Sequence, residues 1–334
     1  MVQLTSYPLA VILLVITMLS WGSWANTQKL TSGKQWPFQL FYWDYSIGVI
    51  IMSLLFGFTI GTLGDTGRSF TEDLLQASTT ALFYAFIGGV VFNLANILIV
   101  AAIDLAGMAI AFPIGIGIAL VEGTIINYIN SPVGNPILIF SGMSCIVIAI
   151  IIDALAYKRL PQKEDTNFSK GIIISVIGGL LMGLFFYLLQ VALASSFENP
   201  EAGKMEPFAA AFIFSIGIFI SNFIWNTWAM KKPFKGPKVN YSDYFKGGFK
   251  IHIVGILGGI IWCTGNVLAN YTSEVAGGAI AYGLGQGATM VASIWGVFVW
   301  KEFKDAPKGT NTLLFFMFLF FIIGLSLLIS ARLT

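Results

Sequence analysis

Residues 88–122 read GGVVFNLANILIVAAIDLAGMAIAFPIGIGIALVE and residues 258–292 read GGIIWCTGNVLANYTSEVAGGAIAYGLGQGATMVA; laid together without a gap, they are identical at 12 of 35 positions. The offset is 170 residues, half of a 334-residue chain. Identities include Asn96 with Asn266, Gly107 with Gly277, and Ala109-Ile110-Ala111 with Ala279-Ile280-Ala281. The acids Asp104 and Glu274 also correspond, and Ser46-Ile47-Gly48 recurs as Ser215-Ile216-Gly217 at an offset of 169. Self-similarity at a fixed period is the mark of a duplicated unit.

The residues around the repeat suit lipid. The chain is 57% hydrophobic and only 10% charged, against about 25% charged in soluble proteins, which excludes a water-soluble globule. A bilayer core of about 30 Å takes roughly 20 residues of helix. Ten apolar stretches of that size run over 8–27, 40–61, 78–101, 105–129, 134–157, 171–194, 207–230, 249–271, 275–300 and 311–331. They are too long and too uniformly apolar for barrel strands, and helices satisfy their own backbone groups in hydrocarbon. The expected fold is an all-α polytopic membrane protein with ten transmembrane helices. Each unit holds five spans, an odd number, so the second copy enters from the opposite side. Two inverted five-helix repeats follow, residues 1–164 and 165–334. Inverted repeats are the architecture of alternating-access carriers, in which two similar halves expose a midplane site to each side in turn.

Charge placement orients the chain. The loops after spans 1, 3, 5, 7 and 9 hold 15 of the 18 Lys and Arg, including Lys34, Lys163 and Lys235; basic loops stay in the cytoplasm, so both termini are expected outside a plasma (inner) membrane. The run from Pro8 to Trp24 has no basic residue before it and no small-x-small site after it, and reads as a retained span. With 18 basic against 16 acidic residues, no nucleic-acid surface is indicated. Cys145 and Cys263 lack metal or disulfide spacing. No GxxxxGK[ST], HExxH or GxSxG motif is present, so neither an enzyme nor a bound cofactor is expected, and the energy source is a proton gradient. Few basic residues lie inside the spans, which suits an uncharged polar solute.

Several residues stand out as machinery. Gly107, Ala111 and Gly115, repeated as Gly277, Ala281 and Gly285, put small side chains on one helix face and let backbones approach. Pro113, with Gly283 as counterpart, marks a kink or hinge. Glu122, seven positions after Gly115, returns to the same face and is the first candidate for proton coupling, with a neutral buried strut as the alternative. Asp44 is a second coupling candidate, or a headgroup-level acid in a belt of Phe41, Tyr42, Trp43 and Tyr45. Asn93, Asn96, Asn266 and Asn270 offer donors and acceptors to a solute, or bind helices together. Trp21, Trp24, Trp225, Trp262, Tyr282 and Gln286 can complete a ring-stacking pocket. Asp153 is expected to pair with Lys158 or Arg159, Asp104 and Glu274 to cap the following helices, and His252 to be structural. Span 10, rich in Phe and Leu, reads as peripheral or as a homodimer face.

The ten spans in two inverted fives resemble the drug/metabolite transporter superfamily. SWGSW (Ser20–Trp24), WDYSIG (Trp43–Gly48) and GMAIAFPIGIGIALVEGTIINY (Gly107–Tyr128) resemble its glucose/ribose porter, rhamnose/proton symporter and plant ureide permease branch. The resemblance implies proton-coupled uptake of a monosaccharide, or of a ureide or nucleobase, with Asp44 and Gly123-Thr124 as motif positions and spans 3, 4, 8 and 9 around the cavity. The short 158–170 loop departs from the plant proteins, which carry a long one with a Gly/Lys motif. A small-molecule solute, protons and the bilayer are the expected partners. The competing readings are an exporter of the same superfamily and a non-transporting membrane receptor or scaffold.

Overall fold

A computed structural model describes residues 1–32, 36–160, 167–234 and 236–334. The described residues are helical apart from connections and one isolated bridge between Leu193 and Met205. The first half contains α1 (Tyr7–Ser23), α2 (Ala25–Ser32), α3 (Phe38–Phe58), α4 (Phe70–Gln76), α5 (Thr79–Ala106), α6 (Met108–Asn130) and α7 (Pro136–Tyr157). The second contains α8 (Phe168–Ala192), α9 (Pro207–Asn222), α10 (Trp225–Lys231), α11 (Tyr241–Tyr244), α12 (Phe249–Ala276), α13 (Gly278–Gly285), α14 (Ala288–Ile294) and α15 (Thr310–Ser330). Among the described residues nine helical stretches are long and apolar enough to cross a membrane. The proposed division between residues 164 and 165, and the basic residues Lys34, Lys163 and Lys235, lie outside the described residues.

The stretch read as one span over 275–300 is instead three pieces. α13 ends at Gly285, α14 starts at Ala288, and Trp295–Val299 forms a π turn. Gly283, Gly285 and Gly287 fall within five residues, and glycine costs a helix about 1 kcal/mol each relative to alanine. Past the π turn, Trp300 donates its indole N–H to Asn26 Oδ1 at 2.6 Å. The corners before α6 and α13 are also glycine-made. Gly107 and Gly277 sit at φ 82° and 89°, in a region side-chain-bearing residues rarely enter. Both therefore lie at helix junctions rather than on an in-helix packing face. Nor do Asp104 and Glu274 cap the next helices, because Gly107 and Gly277 occupy the N-cap positions. Glu274 instead accepts from the backbone N–H of Phe197.

Helix packing repeats itself. α5 lies against α8 and α9, while α12 lies against α1 and α3; α3 meets α9, α6 meets α13, and α7 meets α15. At the α3–α12 crossing, a Cβ on Gly48 would run into the Ile256 carbonyl, and one on Gly259 into the Tyr45 carbonyl. At the α5–α9 crossing, the same happens between Gly217 and Phe86, and between Gly89 and Phe214. Gly48 and Gly217, like Gly89 and Gly259, are the residues matched by the sequence repeat. α7 and α15 approach through Gly142 and Gly324, and the far face of α15 exposes Phe315, Phe316 and Ile322, as a peripheral helix would.

Both chain ends lie at one end of the bundle, where Val2 N–H reaches the Ile60 carbonyl and Asn135 N–H the Ala331 carbonyl. The other end gathers the basic residues, with Lys29 and Tyr157 both on Glu302. Asp153 is not paired with Lys158 or Arg159. It is buried at 5% exposure and bonds to Ser293 of α14, because its face of α7 turns inward.

The crossings predict an asymmetry among glycines. Gly48→Ala, whose new methyl meets backbone, should lower the melting point of the detergent-purified protein by an amount equivalent to about 1–3 kcal/mol. Gly117→Ala, whose Cβ has no neighbour within 4 Å, should be neutral or stabilise by about 0.5–1 kcal/mol.

Candidate functional site

At mid-height, seven helices each contribute an aromatic ring to one buried group. Trp21 of α1 stacks on Trp262 of α12 with ring centres 6.3 Å apart and planes 14° apart. Trp262 also meets Phe92 of α5 at 4.2 Å, Phe214 of α9 at 6.1 Å and Tyr45 of α3 at 6.2 Å. Phe185 of α8 touches Trp21, and Tyr282 of α13 touches Phe185. Trp24 reaches Tyr45 at 4.9 Å. The Trp21 indole N–H and the Tyr45 hydroxyl are buried without a hydrogen-bond partner, so rings are available for stacking and polar edges for recognition. Trp225, on α10, makes no ring contact with this group, and Gln286 lies at the α13–α14 break.

The four asparagines are buried but divided. Asn96 donates to the Tyr42 hydroxyl at 3.1 Å, within reach of the aromatic group. Asn93 spends its amide on Ser221 Oγ and the Ile218 carbonyl, which makes it a clasp between α5 and α9, while its Oδ1 has no partner. Asn270 donates toward Asn266 Oδ1 and accepts from Gln190 at 2.9 Å. Gln190 of α8 thereby joins a chain of amides that the sequence did not reveal, since one Gln near a helix end carries no signal by itself.

Small residues and Glu122 follow α8. Gly115 meets Gly179 at backbone distance, and four residues further along α8, Gly183 faces the Glu122 carboxylate. Glu122 and Gly115 thus do share a face, and Glu122 Oε2 is buried without a partner. Ala111 packs with Ala102, Ala106 and Ile174, on the same flank. Pro113 lies inside α6. In the second half, Gly285 faces Trp21, Gly283 faces Leu328 of α15, and Ala281 is fully buried. Tyr282 donates to the Ala119 and Met182 carbonyls at 3.1 and 3.2 Å, tying α13 to α6 and α8.

Two carboxylate clusters mark opposite ends of the bundle. At the basic end, Asp44 Oδ1 accepts from the Tyr244 hydroxyl at 2.6 Å and pairs with His252 Nδ1 at 2.8 Å. Trp36 lies edge-on to His252 at 5.2 Å and beside Tyr244. The headgroup-belt reading of Asp44 fails on burial: Phe41, Tyr42, Trp43, Asp44 and Tyr45 are all buried, because α3 is enclosed by α12, α9 and the connection carrying Tyr244. His252, expected to be structural, is Asp44's partner. Burial first, and then the Asp44 bond, holds Tyr244 well above the usual phenol range.

At the end bearing the termini, Asp73 of α4 and Glu206, the N-cap of α9, are almost wholly buried. Asp73 Oδ1 meets Arg68 Nε at 3.0 Å, Asp73 Oδ2 accepts from Glu206 N–H at 2.7 Å, and Glu206 Oε1 accepts from Arg68 N–H at 3.0 Å. One guanidinium serves two carboxyls. Burial, reinforced by the Asp73 charge, lifts Glu206 to about 7, and burial also raises Asp73.

Comparison with known proteins adds a lineage to this geometry. A family model described as ureide permease matches residues 41–170 and 155–331. Ureide permease 2 of Arabidopsis thaliana is 24% identical over 389 residues, covering 96% of each chain, and ureide permease 1 of the same plant is 22% identical over 381, again 96% of each. A probable glucose uptake protein, GlcU of Bacillus anthracis, is 25% identical over 223 residues, 65% of this chain and 69% of its own.

The Glu206 site sets a pH dependence. A carboxyl whose folded-state pKa is raised stabilises the fold fully below its unfolded value of 4.5 and loses that contribution as pH rises through about 7. The melting temperature should fall between pH 5 and pH 8. Glu206→Gln, which stays neutral, should flatten that fall.

Proposed function

We infer the activity from one premise: the chain belongs to the ureide permease family, whose members are multi-pass membrane transporters of small solutes and not enzymes. We propose that it is a proton-coupled symporter that imports a small uncharged polar solute, a monosaccharide or a ureide or nucleobase, by alternating access. Both solute types appear among the names of its relatives, and both are rich in hydroxyls or amides without a net charge.

The observation that carries this reading is the doubled glycine crossing, Gly48–Gly259 and Gly89–Gly217. Two similar halves give two similar conformations, the requirement for a site that opens to one side and then the other. In this reading α13, α14 and the π turn together make a tenth span, and residues 1–164 and 165–334 are inverted five-helix repeats. The broken α13–α14 helix and the Pro113-bearing α6 fall at corresponding places, which is where a carrier's site belongs. Trp21, Trp24, Trp262, Asn96 and Tyr282 form its core. Asn93, Asn266, Asn270, Trp225 and Gln286 are further contacts to test. Glu122, interior and without a hydrogen-bond partner at Oε2, is the proton-coupling residue, and Asp44 with His252 is its exit toward the cytoplasm. The basic end faces the cytoplasm, so both termini lie outside.

Purified protein in liposomes with an inwardly directed proton gradient should accumulate a labelled sugar or ureide. Glu122→Gln should abolish accumulation and spare counterflow; undiminished pH-driven uptake by that variant removes Glu122 from the scheme. Tags at the two termini should both be accessible from outside intact cells, and opposite accessibility would break the inverted arrangement.

A further inference from the structure

The connection between α3 and α5 contains α4, and the connection between α10 and α12 contains α11. Each opens with a capping box, Ser69 with Glu72 and Asn240 with Asp243, so each is a short helix that holds its own start. Counted from these caps, Asp73 and Tyr244 occupy the same position, four residues on. Each is anchored on the N-terminal part of a helix bearing the Ser-Ile-Gly motif, but in the opposite half of the chain. Asp73 of α4 accepts from the Glu206 N–H at the start of α9, and Tyr244 of α11 donates to Asp44 near the start of α3. Arg68 and Gln76 hold Asp73 from one side, as His252 holds Asp44. The two fastenings are at opposite ends of the bundle, and both are closed.

We propose that α4 and α11 are a pair of latches, one over each mouth of the carrier, which must be released in alternation: Asp73 fastens the mouth at the terminus-bearing end, and the Tyr244–Asp44–His252 cluster fastens the mouth at the basic end. This rests on the alternating-access reading. It assigns to residues in the connections a function that the membrane-spanning helices cannot perform alone. The sliding crossings at Gly48–Gly259 and Gly89–Gly217 let halves move; the latches decide which side opens.

The test uses the native thiol at the centre. Cys145→Ala leaves Cys263, buried at 1% exposure beside Trp262, as the sole cysteine, and a membrane-impermeant methanethiosulfonate is applied to one face of oriented vesicles at a time. Tyr244→Phe should raise Cys263 labelling about tenfold from the basic face only, as loss of a hydrogen bond to a charged group implies. Asp73→Asn should do so from the terminus-bearing face only. Should either variant fail to fold, the cap changes Asn240→Ala and Ser69→Ala, at exposed or half-exposed positions, should give the same face selectivity at about fivefold. Labelling that rises from both faces, from neither, or from the wrong face overturns the latches. Solute flux measured in the same vesicles separates the two ideas: flux with unaltered labelling sinks the latches alone, and face-selective labelling without flux sinks the carrier reading alone.

Discussion

Backbone contact between helices is the constraint on which the rest of this structure depends. Water contributes no hydrophobic drive between helices inside a bilayer, so association there comes from close packing. Where α3 crosses α12 and α5 crosses α9, the absence of a side chain at Gly48, Gly259, Gly89 and Gly217 lets carbonyl oxygens approach the opposing Cα atoms directly. Interfaces of this kind have little side-chain interdigitation to undo. They are tight to separation and permissive to sliding, which is what two rigid units moving past each other require.

Around these crossings the polar groups are distributed by height. Mid-height holds rings and amides, with few charges; the ends hold the carboxylates, each with a cation or hydroxyl partner. A buried carboxylate left alone is costly, and the fold meets that cost at Asp73 with Arg68 and at Asp44 with His252 and Tyr244. Glu122 is the exception. Its Oε2 faces Gly183 without a hydrogen bond, and no cation stands beside it among the described residues.

Much of this was legible in the sequence because the duplicated positions are those where the backbone itself is constrained. Gly107 and Gly277 are matched because both corners need positive φ, and Ser46-Ile47-Gly48 and Ser215-Ile216-Gly217 because both crossings need glycine. Periodicity placed Glu122 and Gly115 on one face, and that arithmetic survives in the contacts with Gly183 and Gly179. What could not be read was pairing over distance. Asp44 and His252 are 208 positions apart, and the cluster of Arg68, Asp73 and Glu206 is assembled from two connections that look, in sequence, like ordinary polar loops. The break at Gln286 was hidden for another reason: hydropathy runs unbroken across it, while local glycine density decides the backbone.

The π turn at Trp295–Val299 has a consequence for how this span can vary in descent. A π turn houses one residue more than an α-helix would, and each residue of α-helix is worth about 100° of rotation. Deleting any one residue between 295 and 299 would let the segment relax to α-helix without unfolding it, while swinging everything after it around the axis. Trp300 would then lose Asn26, and the link between the ends of the first and ninth spans would go with it. A one-residue gap here in some distant cousin would therefore signify a rewired cytoplasmic rim, not a trimmed loop.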